Sequence, residues 1–415
     1  MGENIVIMKS LLIITSFLPY PIHSGGEQAQ YNMIEALRKT YHIGIVFPVN
    51  RDNRPSDIET LSFSWPDVRF FPFPLRRQYS HFPFLFQKVR KFINRHLPFF
   101  RKNAMIKEAL DHTDFLLSRT YLSFVRTAIS EMKADVVQVE FIQNLNIGKY
   151  LPKDIFKLFV HHEIGFVITE RTLDGISLTG GQQKKKEHKK QQEIARLNEF
   201  DGVVTLTETD KKVLMDAGVI RPVFVSPAAV NTRELTYTGW NGNIVFIGGF
   251  NHRPNHEGMD WFLSEVVPCI DWHSYPMVKL QIIGLDWPIS YEHDYHGLKV
   301  NLLGYVEDLS EYAANSIMIV PILTGSGMRM KILDAAAMSV PFVSTTVGVE
   351  GLDFHDGESC LIADRAEGFA QALVRQMSDH MLRERIALNA HLLYQKKYSL
   401  RALVEKRKAI YQITS

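Results

Sequence analysis

Cysteine is scarce in this chain: its 415 residues contain two, Cys269 and Cys360, far apart in the sequence. That excludes a disulfide framework and a thiolate metal cluster, and suits a reducing compartment such as the cytoplasm. Charge of one sign is equally scarce. A formal net charge of +2 provides no general field for a polyanion, so no nucleic-acid partner is expected. No apolar run reaches the roughly 18 residues of a membrane-spanning helix; Leu11 to Phe17 is far too short, and the first residues lack a secretory-signal pattern. The expectation is a cytoplasmic protein, with peripheral contact to an anionic membrane surface kept open. Beyond His161-His162-Glu163, His, Asp and Glu do not cluster at metal-ligand spacing, and neither a metal nor another cofactor is expected. Neither Gly-Gly turn follows GxGxxG, which disfavours a nicotinamide-dependent oxidoreductase.

What is present is enough apolar sequence for two cores: the hydrophobic fraction is 46% over a length that predicts two domains. Ser10 to Leu18 reads as a buried parallel strand, Ser24-Gly25-Gly26 as a turn, Glu27 to Lys39 as a helix and Ile43 to Phe47 as the next strand. Strand, glycine turn, helix, strand opens a doubly wound α/β sheet. Further strands are predicted at 134–140, 156–160, 202–207 and 222–227, with Glu208 to Ala217 as a helix. His161-His162-Glu163 follows the strand at 156–160, at the end where such sheets bind ligands. The polar stretch 232–243 reads as an interdomain linker. A second βα series then starts: a strand into Gly248-Gly249, a helix from Asn255 to Val267, and strands at 280–284, 300–304 and 317–320. The domains expected are 1–233 and 234–395, with the C-terminal helix at about 396–415 returning to the first.

The richest stretch follows. Thr324-Gly325-Ser326-Gly327 reads as a loop in which Thr324 or Ser326 can cap a helix carrying Met330, Leu333 and Ala337 on one face. Pro341 ends that helix, and Phe342 to Thr346 reads as a strand. Arg329 and Lys331 stand in the first turn, where the helix dipole disfavours cations. A bound anion reverses that penalty, so the stretch reads as a diphosphate site. Two other segments are unusual. Residues 68–103 interleave Phe with Arg, Lys and His, as in an aromatic-rich helical excursion, a lipid-facing surface or a single-strand binding platform. Residues 180–192 are a lysine-rich run expected as an exposed loop or helix start, with a lipid contact as the sharper reading.

Phe17-Leu18-Pro19, Gly25-Gly26, Thr205 to Glu208, Ser226-Pro227, Asn231-Thr232, Phe246 to Gly249, Gly304 to Val306 and above all GSGMRMKILDAAAMSVPFVSTTVGVEGL from Gly325 carry a family resemblance. Over nearly its whole length the chain resembles the retaining, nucleotide-sugar-dependent glycosyltransferases of family four. The resemblance implies the GT-B fold, two facing Rossmann-like domains with the active site in the cleft between them. It implies transfer from a nucleoside-diphosphate sugar to a glycan, lipid-linked or protein acceptor, with retention of configuration and without a metal. Gly25 and Gly26 would approach the donor, Arg329 and Lys331 would bind its diphosphate, and Asp334 would take the ribose-binding position usually held by Glu. Gly248, Gly249, Gly325, Ser326 and Gly327 would line the donor site, and the backbone at Tyr305 and Val306 would meet the base. His162, or His161, would face the transferred sugar. The family's paired-acid motif has Ser326 in place of its first acid here, and its basic pair after the second Gly-Gly turn is missing, with Arg253 the one candidate substitute. An inactive nucleotide-sugar-binding partner of a transferase, or a sugar-nucleotide epimerase, are the alternative readings.

Overall fold

The computed structural model describes residues 8–22, 24–49, 55–74, 98–111, 117–325 and 327–413. The chain forms two compact α/β units. One comprises Met1–Pro21, Leu37–Ser226 and Ala409–Ser415; the other comprises Ile22–Ala36 and Pro227–Lys408.

The first unit is built on a parallel sheet of β1 (Ser10–Ile14), β2 (His42–Val49), β3 (Val68–Pro74), β4 (Val136–Glu140), β5 (Phe156–His161), β6 (Gly202–Thr205) and β7 (Val223–Val225). Their spatial order is β3-β2-β1-β4-β5-β6-β7. The chain winds outward from β1 to β3, then returns to β4 on the other side of β1. The sheet therefore reverses direction between β1 and β4, the point where doubly wound sheets offer a ligand crevice at the strand carboxyl ends. Leu12, Ile14, Val137, Val139, Phe159 and Val203 pack in its core.

The second unit repeats the plan with β8 (Asn243–Ile247), β9 (Lys279–Ile283), β10 (Asp294–Tyr295), β11 (Leu298–Gly304), β12 (Ile317–Val320), β13 (Phe342–Ser344) and β14 (Leu361–Ile362). The order is β10-β11-β9-β8-β12-β13-β14, and its reversal lies between β8 and β12. Only β10 pairs antiparallel, as a two-residue edge on β11. The Rossmann-like α/β class expected from the sequence is the observed one.

Several local readings change. β3 occupies 68–74, the start of the segment read as a helical excursion. Pro72 and Pro74 mask it in the sequence, and both fit because β3 is, among the described residues, an edge strand with no outer neighbour to bond. Residues 98–110 are helical, and 75–97 lie outside the described residues. The lysine-rich run follows its helix-start reading: it opens a helix, Gly180–Leu197, started by a capping box between Thr179 and Gln182. Three of its lysines are engaged within the unit: Lys185 with Asp111, Lys190 with Glu170, and Lys189 with the carbonyls of Ala109 and Asp111. The stretch read as a linker is fastened to the second unit, where Ser339 Oγ donates to Leu235 O and Thr238 N to Asn315 Oδ1. Among the described residues, no helix is long and apolar enough to cross a membrane.

Candidate functional site

Two polar constellations stand at the strand carboxyl ends, one in each unit. The larger surrounds the helix Met330–Ala337, directly after β12. Buried nearly all round rather than on one face, this helix packs Ile332, Leu333 and Ala335–Ala337 into the core. Arg329 occupies its N-cap position, and no side chain caps it. Thr324 does not serve as the cap; its hydroxyl donates to Glu257 Oε2 at 3.0 Å. Ser326 lies outside the described residues. Gly325 and Gly327 hold left-handed φ angles of 106° and 81°, conformations that a side chain would strain, and Arg329 Nη1 donates to Gly327 O at 2.8 Å. Glycine at both positions thus shapes the loop that folds back on the arginine.

Lys331 is half-buried beside this loop. Its Nζ donates to Asn255 Oδ1 at 2.8 Å and sits 4.2 Å from the ring centre of Phe246 on β8. Burial, assisted by the Arg329 charge, lowers its pKa to about 7. His252 lies in the same field and is also held below its ordinary value, by burial first and then by Lys331 and Arg329. An anion placed among these groups favours their charged forms, so the helix start is suited to bind one.

The second Gly-Gly pair acts through Asn255. Gly248, at φ 153°, donates to Ile283 O at 2.7 Å, and Gly249 O accepts from Asn255 Nδ2 at 2.9 Å. A Cβ on Gly248 would come within 2.5 Å of the Asn255 amide. The pair therefore sets the amide that holds Lys331. Arg253, the candidate substitute for the basic pair, is exposed and bound by Glu257 at 2.6 Å.

Asp334, one turn further along the helix, is 2% exposed. Its Oδ1 accepts from Thr232 Oγ1 and, at 3.3 Å, from Gln28 Nε2. Burial nevertheless pushes its pKa up to about 6 against the pull of these donors. Gln28 comes from the helix Gly25–Leu37, and Gly25, Gln28, Ala29 and Asn32 form one face of it at i, i+3, i+4 and i+7. Ala29 joins the second unit's core, and Asn32 Nδ2 donates to Ala229 O at 3.0 Å. The first glycine pair is the opening turn of this helix rather than a loop before it. Ser24 caps the turn reciprocally with Glu27, so the signal S-x-x-E outweighed the glycines. A Cβ on Gly25 would lie 3.2 Å from Met330 Cγ, so two helix N-termini approach closely here. Tyr305 is exposed and Val306 half-buried, just beyond β11.

In the first unit the two histidines separate. His161 is 1% exposed, and its Nε2 meets Glu193 Oε1 at 2.9 Å; Glu193 also accepts from the amides of Gly165 and Phe166. Its role is to seat the start of the helix Gly165–Thr172. His162 keeps some exposure, its Nε2 lies 2.5 Å from Glu140 Oε2, and its ring stacks on Phe141 at 4.1 Å. Phe141 adopts φ 67°, rare for an aromatic residue. Asn144 Nδ2 ties this corner to β1 by donating to Ser16 Oγ and Glu140 O, each at 2.9 Å. Sequence reasoning passed over Glu140 and Gln138, although two polar residues at alternate positions of an otherwise apolar central strand are a legible signal. It named Asn255, Phe246 and Thr232 only as parts of motifs or helix bounds and gave them no role, since only the fold brings them to Lys331 and Asp334.

Residues 241–379 match the family model described as "Glycosyl transferases group 1". An uncharacterized 44.6 kDa protein in the cps region of Klebsiella pneumoniae is 31% identical over 170 residues, which cover 38% of this chain and 43% of that protein. The matched region thus spans less than half of that relative. Sucrose-phosphate synthase from Thermosynechococcus elongatus superimposes with a TM-score of 0.70 at 15% identity, over 98% of this chain and 99% of that one. Anabaena HepE in complex with UDP-glucose does so with a TM-score of 0.62 at 12% identity, over 97% and 99%. At such identities the likeness is one of fold, and the fold is GT-B.

Proposed function

We propose that this protein transfers a sugar from a nucleoside-diphosphate sugar to an acceptor hydroxyl, with retention of anomeric configuration and without a metal. The observation that carries this reading is the pair Arg329 and Lys331 at the start of a buried helix, within the very segment that matches the group 1 glycosyltransferase model. The HepE complex with UDP-glucose supports a sugar nucleotide as the donor class.

Breaking the bond from the sugar's anomeric carbon to the diphosphate leaves negative charge on the departing oxygen. Arg329 and a protonated Lys331 stabilise that charge from fixed positions, and the helix N-terminus adds its dipole. Asn255 and the Phe246 ring aim Lys331, and Gly325 and Gly327 allow the loop to wrap the diphosphate. Asp334 receives the ribose, sharing its carboxylate with Thr232 and Gln28. Tyr305 and Val306 border the base. His162 faces the transferred sugar and exchanges a hydrogen bond with one of its hydroxyls. The acceptor is a glycan, a lipid-linked sugar or a protein, met in the cytoplasm or at the inner membrane surface. Arg329 and Lys331 take the charge-neutralising role that a divalent ion fills in other phosphate chemistry.

The test is release of nucleoside diphosphate from a panel of sugar nucleotides, with NMR of the product's anomeric centre, in the presence of EDTA. Lys331→Ala is expected to lower transfer by about a hundredfold or more, the scale of one lost preorganised charge stabiliser. Full activity in that variant overturns the assignment, and inverted product or loss of activity in EDTA overturns the corresponding part of it.

A further inference from the structure

The donor site leaves a line of buried polar side chains in the first unit unexplained. Tyr411, Gln138 and Glu140 are 1%, 0% and 0% exposed. The Tyr411 hydroxyl donates to Gln138 Oε1 at 2.6 Å, Gln138 Nε2 donates to Glu140 Oε1, and Glu140 Oε2 meets His162 Nε2 at 2.5 Å. Gln138 and Glu140 lie on one face of β4, in the middle of a parallel sheet where an apolar side chain would be cheaper to bury. Tyr411 comes from the other end of the chain, in the helix Leu400–Gln412, and its ring packs edge-on against Tyr41 at 5.2 Å.

The line has a direction. A phenol has one proton to give, and Tyr411 gives it to the oxygen of the Gln138 amide. That choice turns the amide nitrogen toward Glu140. A carboxylate only accepts, and the Gln138 amide holds Glu140 turned toward the ring, so the imidazole in its neutral form presents its proton on Nε2, which leaves Nδ1 as the acceptor. Stacking on Phe141 fixes the plane of the ring. We propose that Tyr411, Gln138 and Glu140 are positioning residues that set the tautomer and orientation of His162, making Nδ1 the acceptor for a hydroxyl of the bound sugar. This inference rests on the glycosyltransferase reading for its substrate, but the tautomer itself is a property of the protein alone.

Two arms test it. In the first, protein labelled with ¹⁵N-histidine is examined by imidazole NMR without ligand. The wild type is expected to show His162 in a single Nε2–H tautomer. Tyr411→Phe and Gln138→Met are expected to show a mixture, and Tyr41→Phe, which keeps the ring packed beside Tyr411 and removes only a hydroxyl outside the line, the wild-type pattern. In the second, kcat and donor KM are compared. Tyr411→Phe is expected to lower kcat about five- to tenfold with donor KM unchanged, and Glu140→Gln about a hundredfold. The double variant is expected to match Glu140→Gln alone, because both changes act through His162. A purely structural Tyr411 would instead give additive losses and an unchanged His162 tautomer, and either result overturns the proposal. If no sugar nucleotide is turned over, the glycosyltransferase reading fails by itself, and the NMR arm still decides whether Tyr411 governs His162.

Discussion

Binding of a sugar nucleotide should draw a proton from solution, and the amount can be worked from Lys331. With its pKa lowered to about 7 by burial and by Arg329, the side chain is mostly neutral in the unliganded protein at mildly alkaline pH. At about pH 8 roughly one tenth of the molecules carry the charge, at about pH 7 half do, and at about pH 6 nine tenths do. A diphosphate placed against Nζ restores the charged form, so binding takes up about 0.9 proton at pH 8, about 0.5 at pH 7 and about 0.1 at pH 6 from this group. His252 lies in the same field and is likewise held low, so its contribution has the same sign and is largest at the acid end. A sugar nucleotide is the right ligand, because its diphosphate, esterified at both ends, has no proton of its own to lose in this range. The assay is isothermal titration in buffers of different ionisation enthalpy, where the slope of the apparent binding enthalpy counts protons. Lys331→Met should remove the uptake at pH 8 and leave the part due to His252. Binding without any buffer dependence from pH 6 to 8, or with proton release, would show that the anion does not meet Lys331.

Asp334→Asn separates stability from binding. The folded protein holds the Asp334 proton more tightly than the unfolded chain, so this residue's contribution to stability falls as pH rises from about 4 to about 6 and stays low above. The variant should therefore match the wild type in unfolding free energy below about pH 4 and exceed it above pH 6, by on the order of 1–3 kcal/mol and with a correspondingly higher thermal midpoint, while losing donor affinity. An equal midpoint at all pH values contradicts that burial cost. Gly248→Ala should push the Asn255 amide off Gly249 O and Lys331, lowering transfer at least tenfold in a protein that still folds, as measured by steady-state kinetics beside circular dichroism. Unchanged kcat in that variant would detach the Gly-Gly turn from the site.

The alternating plan of buried strands and helices was legible because central parallel strands are apolar runs punctuated by glycine and proline. Elements that depart from that rule were not. β3 carries two prolines that only an edge tolerates. The helix Gly25–Leu37 begins at the glycines themselves, because a reciprocal Ser24–Glu27 cap outweighs their low propensity. At the site, the residue types that hold charge announced themselves, since cations in a first helical turn conflict with the dipole. Their supports did not. Asn255 stands 76 positions from Lys331, Thr232 stands 102 from Asp334, and Gln28 stands 306 from it, distances over which no local pattern operates. His161 and His162 read alike in the sequence, and only the fold gives the two rings different partners, the buried Glu193 and Glu140.

The central claim is that the helix start at Arg329 and Lys331 binds the diphosphate of a sugar nucleotide. The most direct measurement is the thermal midpoint of the purified protein against a panel of nucleoside diphosphates and their sugars, for the wild type, Arg329→Ala and Lys331→Ala. Mass action predicts a concentration-dependent rise for one nucleotide and its sugar in the wild type, close to 3 kcal/mol of stabilisation at about one hundred times Kd, and loss of that rise in both variants. No rise with any nucleotide, or an equal rise in all three proteins, would contradict the account.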